Sequence, residues 1–332
     1  MNNKILITLC CILLPFLLEA KIWRVNNVPG KPADFTSLQA AHTQANIGDT
    51  IHLEGSNTDY GVFTCTKKLV IIGPGSYLSL NSETQANLSD AKVQSIELGK
   101  GSAGTILMSL HIYKNNPSSK TTGNITISDS NISILRCRID NSIIFSSATE
   151  VVSNFMLLQN HIAENITTDD EENSPVDLII NNNIVSNISV SSNAQISQNV
   201  IRGNLTCSNS TVRNNFFYGG IIGENNIITH NIAFTETSSI PDANENKKNV
   251  AEASVLTKNE EGSPSLYYKI IPGSVAEGNG FGDTDVGIFG GDMPFVPSLL
   301  PKMPIIYEFS APVQVTSQEG SFEIRIKAKA QQ

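Results

Sequence analysis

The frame apolar-x-x-Asn-x-apolar recurs along the middle of the chain and limits the fold more than any other feature. It fits Leu157-x-x-Asn160-x-Ile162, Ile179-x-x-Asn182-x-Ile184, Ile196-x-x-Asn199-x-Ile201, Val212-x-x-Asn215-x-Phe217 and Ile228-x-x-Asn231-x-Ala233. Upstream, Ile134-x-x-Cys137-x-Ile139 keeps the frame with Cys in the Asn place. From Cys137 onward the steps are 23, 22, 17, 16 and 16 residues. A second apolar phase follows four residues after each closing residue: Ile139/Ile143, Ile162/Ile166, Ile184/Ile188, Ile201/Leu205 and Phe217/Ile221. Each repeat therefore holds at least two short strands around a tight polar turn, and none has an apolar stretch long enough for an amphipathic helix. A single repeat cannot bury its aliphatic side chains, whereas stacked repeats bury a continuous column of them. Asparagine tolerates the left-handed backbone of a sharp corner, and amides at equivalent corners can bond along the stack. Asn160, Asn182, Asn199, Asn215 and Asn231 are thus expected to form one ladder, with the Asn181–Asn183 triplet as a corner.

The remaining sequence bounds the setting. In 332 residues the formal charge is −9 and only 16% are charged, so no general basic footprint for nucleic acid exists. Residues 1–20 carry Lys4, an apolar run from Ile5 to Leu18 and a small residue at Ala20, and read as a secretory signal peptide. No other apolar run is long enough to cross a bilayer, so no membrane span is expected and the localisation is secreted, extracellular or cell surface. The three later cysteines, Cys65, Cys137 and Cys207, are odd in number and widely spaced. They suit neither a disulfide framework nor a zinc site, and buried unpaired thiols are expected.

On these repeats the chain resembles the secreted bacterial right-handed parallel β-helix proteins of the pectin-lyase-like superfamily. The likeness extends to DFTSLQAAHTQANIGDTIHLEGS (34–56), similar to an entry helix followed by a first strand, with Asp34 as N-cap and Phe35, Leu38, His42 and Ala45 on one face. KKLVIIGPGSY (67–77) resembles a first full coil, and SVAEGNGFGDTDVGIFGG (274–291) a closing signature. The resemblance implies an all-β fold: a right-handed parallel β-helix over 21–291 with a short N-terminal capping helix. Residues 292–332 read as a Pro-rich connector and a C-terminal β-hairpin, its two strands flanking the Ser-Gln-Glu-Gly turn (317–320). Phe322, Ile324, Ile326 and Ala328 would form an apolar face covering an end or side of the solenoid.

That superfamily includes lyases, glycoside hydrolases and adhesins, so the fold does not name a function. Asp169-Asp170 and Arg325-Ile326-Lys327 match two polygalacturonase-like motifs by letters, but the companion Gly-His-Gly is absent. Inverting hydrolysis needs an acid and a base about 6.5–9.5 Å apart. Lyases of this fold use a Lys or Arg base with a cation neutralising the uronate carboxylate. Arg136, Arg138, Arg202 and Arg213 are the candidate ligand-binding residues; alternation turns Arg136 and Arg138 outward if Cys137 points in. Asp169, Asp170, Glu171 and Glu172 read as a solvated loop or a Ca²⁺ site without EF-hand spacing, and no other cofactor is implied. His161 and His230 lie beside or at turn asparagines, where stacking accounts for them. The leading expectation is a non-catalytic secreted or surface protein whose partner is a polysaccharide or cell-surface protein. A lyase or hydrolase with an atypical site and a purely structural surface protein are the alternatives.

Overall fold

A computed structural model describes residues 20–146, 150–169, 172–236, 238–312 and 321–330. The chain winds into a parallel β-helix whose coils contribute to three sheets. Sheet 1 runs from Ile22–Val25 to Ile227–Thr229, sheet 2 from Lys92–Val93 to Ile232–Ala233, and sheet 3 from Val62–Cys65 to Ile221–Ile222. One coil shows the order: Val176–Asn181 lies in sheet 1, Ile184–Val185 in sheet 2 and Asn187–Ser192 in sheet 3. The sequence frame supplies three inward columns. Ile134, Leu157, Ile180, Ile196 and Val212 are register neighbours on sheet 1 and fully buried. Ile139, Ile162, Val185, Ile201 and Phe217 line sheet 2, and Ile143, Ile166, Ile188, Leu205 and Ile221 line sheet 3. These β-branched and aliphatic residues alternate with polar outward neighbours, as a half-buried strand requires.

The ladder stands at the corner between sheets 1 and 2, with one correction to the sequence expectation. Asn183, not Asn182, joins Asn160, Asn199, Asn215 and Asn231, and Asn246 ends the column. Register explains the shift: Leu157 pairs with Ile180, and Ile180 with Ile196, so the inward frame is Ile180-x-x-Asn183-x-Val185. From Asn183 onward each Oδ1 accepts from the backbone N–H and the side-chain amide of the preceding ladder residue. Asn160 N and Nδ2 reach Asn183 Oδ1 at 2.8 and 3.0 Å, and Asn183 N and Nδ2 reach Asn199 Oδ1 at 2.9 and 3.1 Å. The pattern repeats from Asn199 to Asn215, Asn215 to Asn231 and Asn231 to Asn246, over steps of 16, 16 and 15 residues. Each amide also donates back to a sheet 1 carbonyl, as Asn199 Nδ2 does to Ile180 O at 2.7 Å. Cys137 takes the first ladder place, with its N–H on Asn160 Oδ1 at 2.9 Å.

The residue before each ladder position carries the corner. Ser109, Arg136, Gln159, Asn182, Gln198, Asn214 and His230 all adopt positive φ, between 52° and 59°. Their side chains project outward as a second column. The three consecutive asparagines thus differ in role: Asn181 ends the strand, Asn182 makes the left-handed bend and Asn183 enters the ladder.

The closing segment also corrects the expected extent of the coils. Parallel pairing ends at the Ile232–Lys247 bridge, and residues 250–300 fold back along the outside instead of continuing to 291. Outward side chains of sheet 2 explain why. The column reads Lys92, His111, Arg138, His161, then Ile184, Val200, Phe216, Ile232. Its apolar half needs cover, and Val255, Leu256, Ala276, Val286, Ile288, Phe295 and Leu299 supply a second core over it. Only a glycine fits at Gly287, where a Cβ would lie 2.1 Å from the Phe216 ring. The corner column fastens this return segment coil by coil. Asn214 Oδ1 accepts from Phe281 N, Asn182 Nδ2 donates to Ile288 O and Gly290 O, and Arg136 Nη1 donates to Leu300 O.

Two end elements differ from expectation. The N-terminal helix spans Leu38–Gln44 and is capped by Ser37, not Asp34; Asp34 instead accepts from Arg24 N at 2.8 Å, and Leu38, Ala41 and His42 face the core. The C-terminal hairpin pairs Arg325–Lys329 with Ile305–Ser310, further upstream than the expected first strand. Residues 317–320, the expected turn, lie outside the described residues. Ile305 and Tyr307 pack on Leu78 and Leu300, while Ile306, Phe309, Phe322, Ile324 and Ile326 are exposed, so this apolar face does not cover the solenoid.

Asn199→Ala should lower stability by about 3 kcal/mol, because it strands buried partners on two coils, whereas Asn182→Gly should cost about 1 kcal/mol. Denaturant unfolding read with hydrogen exchange at the corner amides checks this; equal losses would show that the ladder place is not special. Cys65, Cys137 and Cys207 are buried and free, and burial pushes the Cys137 thiol to about 12 and Cys207 to about 11. A thiol reagent should label none of them in the native protein and all three in denaturant.

Candidate functional site: a polar cleft on sheet 2

The polar half of the outward sheet 2 column stays beyond the second core and gathers a row of titratable side chains. His111 lies between two carboxylates, with Nδ1 2.9 Å from Asp90 Oδ2 and Nε2 3.0 Å from Asp140 Oδ2. One coil along, Arg138 Nε donates to Asp140 Oδ1 at 2.9 Å, and its guanidinium lies 4.8 Å from the Tyr77 ring centroid. On the next coil His161 Nδ1 lies 2.7 Å from Tyr77 Oη. Tyr77 itself sits at φ 59° just before a short 3₁₀ turn, Leu78–Leu80, which aims its ring over the column. Arg202 closes the row; its Nη2 donates to the carbonyls of Ile162 and Ala163. Beside His161 and Arg202 an open cleft of about 390 Å³ extends to Tyr267 and Tyr268 on the return segment.

Electrostatics divide these groups. Burial pushes His161 down to about 3, reinforced by Arg202 and Arg138, so the imidazole is neutral at neutral pH. Burial raises the Tyr77 hydroxyl to about 12. For Asp140, burial would raise the carboxyl, but the His111 hydrogen bond and the influence of His111 and Arg138 outweigh it and hold it at about 2.

The structure separates the four candidate arginines. Arg138 and Arg202 share the sheet 2 face. Arg136 does not point to solvent as alternation suggested, because its left-handed backbone breaks the alternation. It is 8% exposed, with Nε on Gln159 Oε1 at 2.8 Å and Nη1 on the return segment. Arg213 stacks on Phe281 at the outer face of sheet 1, on a different face from Arg202. Of the acid run, Asp169 follows the strand Asn165–Thr168 and Glu172 is exposed, while Asp170 and Glu171 lie outside the described residues. Among the described residues no cluster of three or more His, Cys, Asp or Glu is arranged to hold a metal. Arg325 and Lys327 pair with Glu308 in the hairpin, remote from the coil motif they resemble. His161 is bound to Tyr77 rather than merely stacked, and His230 meets Phe281 edge-on at 5.7 Å.

Sequence reasoning missed Tyr77, Asp90, His111, Asp140 and Tyr268. The detectable signal was the series of two-residue strands, His111-Ile112, Arg138-Ile139 and His161-Ile162, whose first members form one outward column. Among the described residues no helix is long and apolar enough to cross a membrane. No family model, curated protein or solved structure matches the chain.

Acid should destabilise the fold in two windows. His161 is lowered from 6.5, so the unfolded chain binds a proton that the folded one refuses, and stability falls as pH drops from 6.5 toward about 3. His42 and His52, lowered mainly by burial, add to this window. Asp140 contributes stability above 3.8 that is lost as pH falls through about 2. Thermal melts from pH 7 to 4 should show a shallower loss in His161→Gln than in the unmodified chain; parallel slopes would contradict this reading.

Proposed function

We propose that the chain is a secreted or surface-exposed, non-catalytic β-helix protein that binds acidic glycans in the sheet 2 cleft. The observation that carries this reading is Arg202. Backbone carbonyls hold one edge of its guanidinium, and among the described residues no carboxylate forms an ion pair with it. A uronate carboxylate suits the remaining N–H groups, since guanidinium and carboxylate match in charge and fork geometry. The half-buried Tyr267 and Tyr268 offer rings against which the C–H face of a sugar packs. Binding is favoured over β-elimination because the groups at hand are poorly matched to proton transfer near neutrality. His161, at about 3, is a feeble base, and Tyr77, at about 12, holds its proton. Asp140 is occupied by His111 and Arg138. The resemblance to secreted pectin-lyase-like proteins agrees with an extracellular polysaccharide as ligand.

The test measures retention and cleavage together. The mature chain should be retarded by immobilised polygalacturonate or alginate, and Arg202→Ala should weaken binding about tenfold, or ~1.4 kcal/mol. No unsaturated-uronate absorbance should develop on pectin, alginate or glycosaminoglycans, with or without Ca²⁺. Absorbance that disappears in Arg138→Ala would replace the binding reading with a lyase; no retention by any acidic glycan would leave a structural or protein-binding role.

A further inference from the structure

We propose a second carbohydrate subsite, on the sheet 1 side of the return segment, that takes a neutral hexopyranose. It is separate from the sheet 2 cleft and does not depend on the acidic ligand assigned there. A groove of about 430 Å³ runs along the corner between sheet 1 and the return segment, with Asn181, Ser197, Arg213, Phe281, Asp292 and Met293 around it. Its back wall is fixed. Asn182, Gln198 and Asn214 also border the groove, but their amide nitrogens donate to the return segment and Asn214 Oδ1 accepts from it, while Gln198 Oε1 is buried without a partner.

The unengaged groups at the groove mouth match a sugar in kind. The Arg213 guanidinium lies 4.7 Å from the Phe281 ring centroid, an arrangement that presets its plane, and no described acceptor takes its N–H groups. Ser197 Oγ donates to Asn181 Oδ1 at 2.8 Å, which leaves the Asn181 amide N–H₂ as the free edge. Asp292 is an exposed carboxylate that no described residue pairs with. Two donors and one acceptor thus border one opening. Phe281, 52% exposed, and Met293, 44% exposed, add apolar surface. Pyranose hydroxyls both donate and accept, and the ring's C–H faces are apolar. The charges of Arg213 and Asp292 at one groove offset each other, so a neutral sugar fits it better than an anion.

Saturation-transfer NMR of the full mature chain with neutral gluco-, galacto- and manno-oligosaccharides tests the assignment. At least one should show transfer. The signal should fall at least tenfold in Arg213→Ala and in Asn181→Ala, weaken in Arg213→Lys, and persist in Arg202→Ala and under saturating polygalacturonate. Thermal melts of each variant check folding, and Arg213→Lys keeps the test valid if Arg213→Ala unfolds. No transfer from any of the three classes overturns the proposal, as does a signal that survives both alanine variants or is lost with Arg202. Failure of acidic-glycan retention alone leaves this subsite standing, because its variants and ligands are different.

Discussion

Everything in this solenoid rests on how its sharpest corner satisfies buried backbone groups. Where the chain turns from sheet 1 into sheet 2, peptide N–H and C=O groups leave the ladder of one sheet before entering the next, inside a dry aliphatic core. An unpaired group there is expensive, and water is excluded. The asparagine amide meets the need because it offers an acceptor and two donors on one short side chain. Asn199, 0% exposed, receives two N–H groups from the coil before it, and its two amide hydrogens are shared among Ile180 O, Ser197 O and Asn215 Oδ1. The bonds from each backbone N–H and amide to the next Oδ1 all run the same way along the axis, so neighbouring links strengthen one another, while the bond back to the earlier sheet 1 carbonyl, such as Ile180 O, ties the coil to the one before it.

The outer surface follows from the same winding. Because each coil puts one outward residue on sheet 2, the sequence of those residues is a map of what covers them. From Ile184 onward the map is apolar, and the return segment lies on it. From Lys92 to His161 it is polar, and there the cleft opens. Cover and cleft are thus two outcomes of one pattern. The apolar half holds the return segment, and Tyr267 and Tyr268 on that segment supply the far wall of the cleft beside the polar half.

The repeat, the three inward columns and the free cysteines were legible in the sequence because burial imposes a strict pattern. At the Asn triplet that pattern is degenerate. Ile179 and Ile180 are adjacent, as are Ile184 and Val185, so two frames one residue apart fit equally well. What decides between them is that Ile180 is buried and Ile179 only half-buried, with a corner into sheet 3 one residue shorter to compensate. The cleft was less legible because its members come from distant loops. Arg138 and Arg202 could be singled out by residue type, but Tyr77 reaches His161 across 84 positions, and no local pattern predicts that contact. Arg136 misled for a local reason: strand alternation stops at a left-handed residue.

The corner side chains also act as a counting device. Going up the solenoid, Arg136, Gln159, Asn182, Gln198 and Asn214 meet successively earlier points on the return segment, from Leu300 down to Phe281. The coils differ in length, but the ladder bond is the same at each step from Asn160 to Asn246, so the ladder by itself fixes no number of coils. The return segment would not, since an added coil moves every later corner away from its partner. Internal duplication, the simplest route by which repeat proteins lengthen, is therefore restrained by a segment that lies outside the repeats. This protein's length is set by its strap and not by its coils.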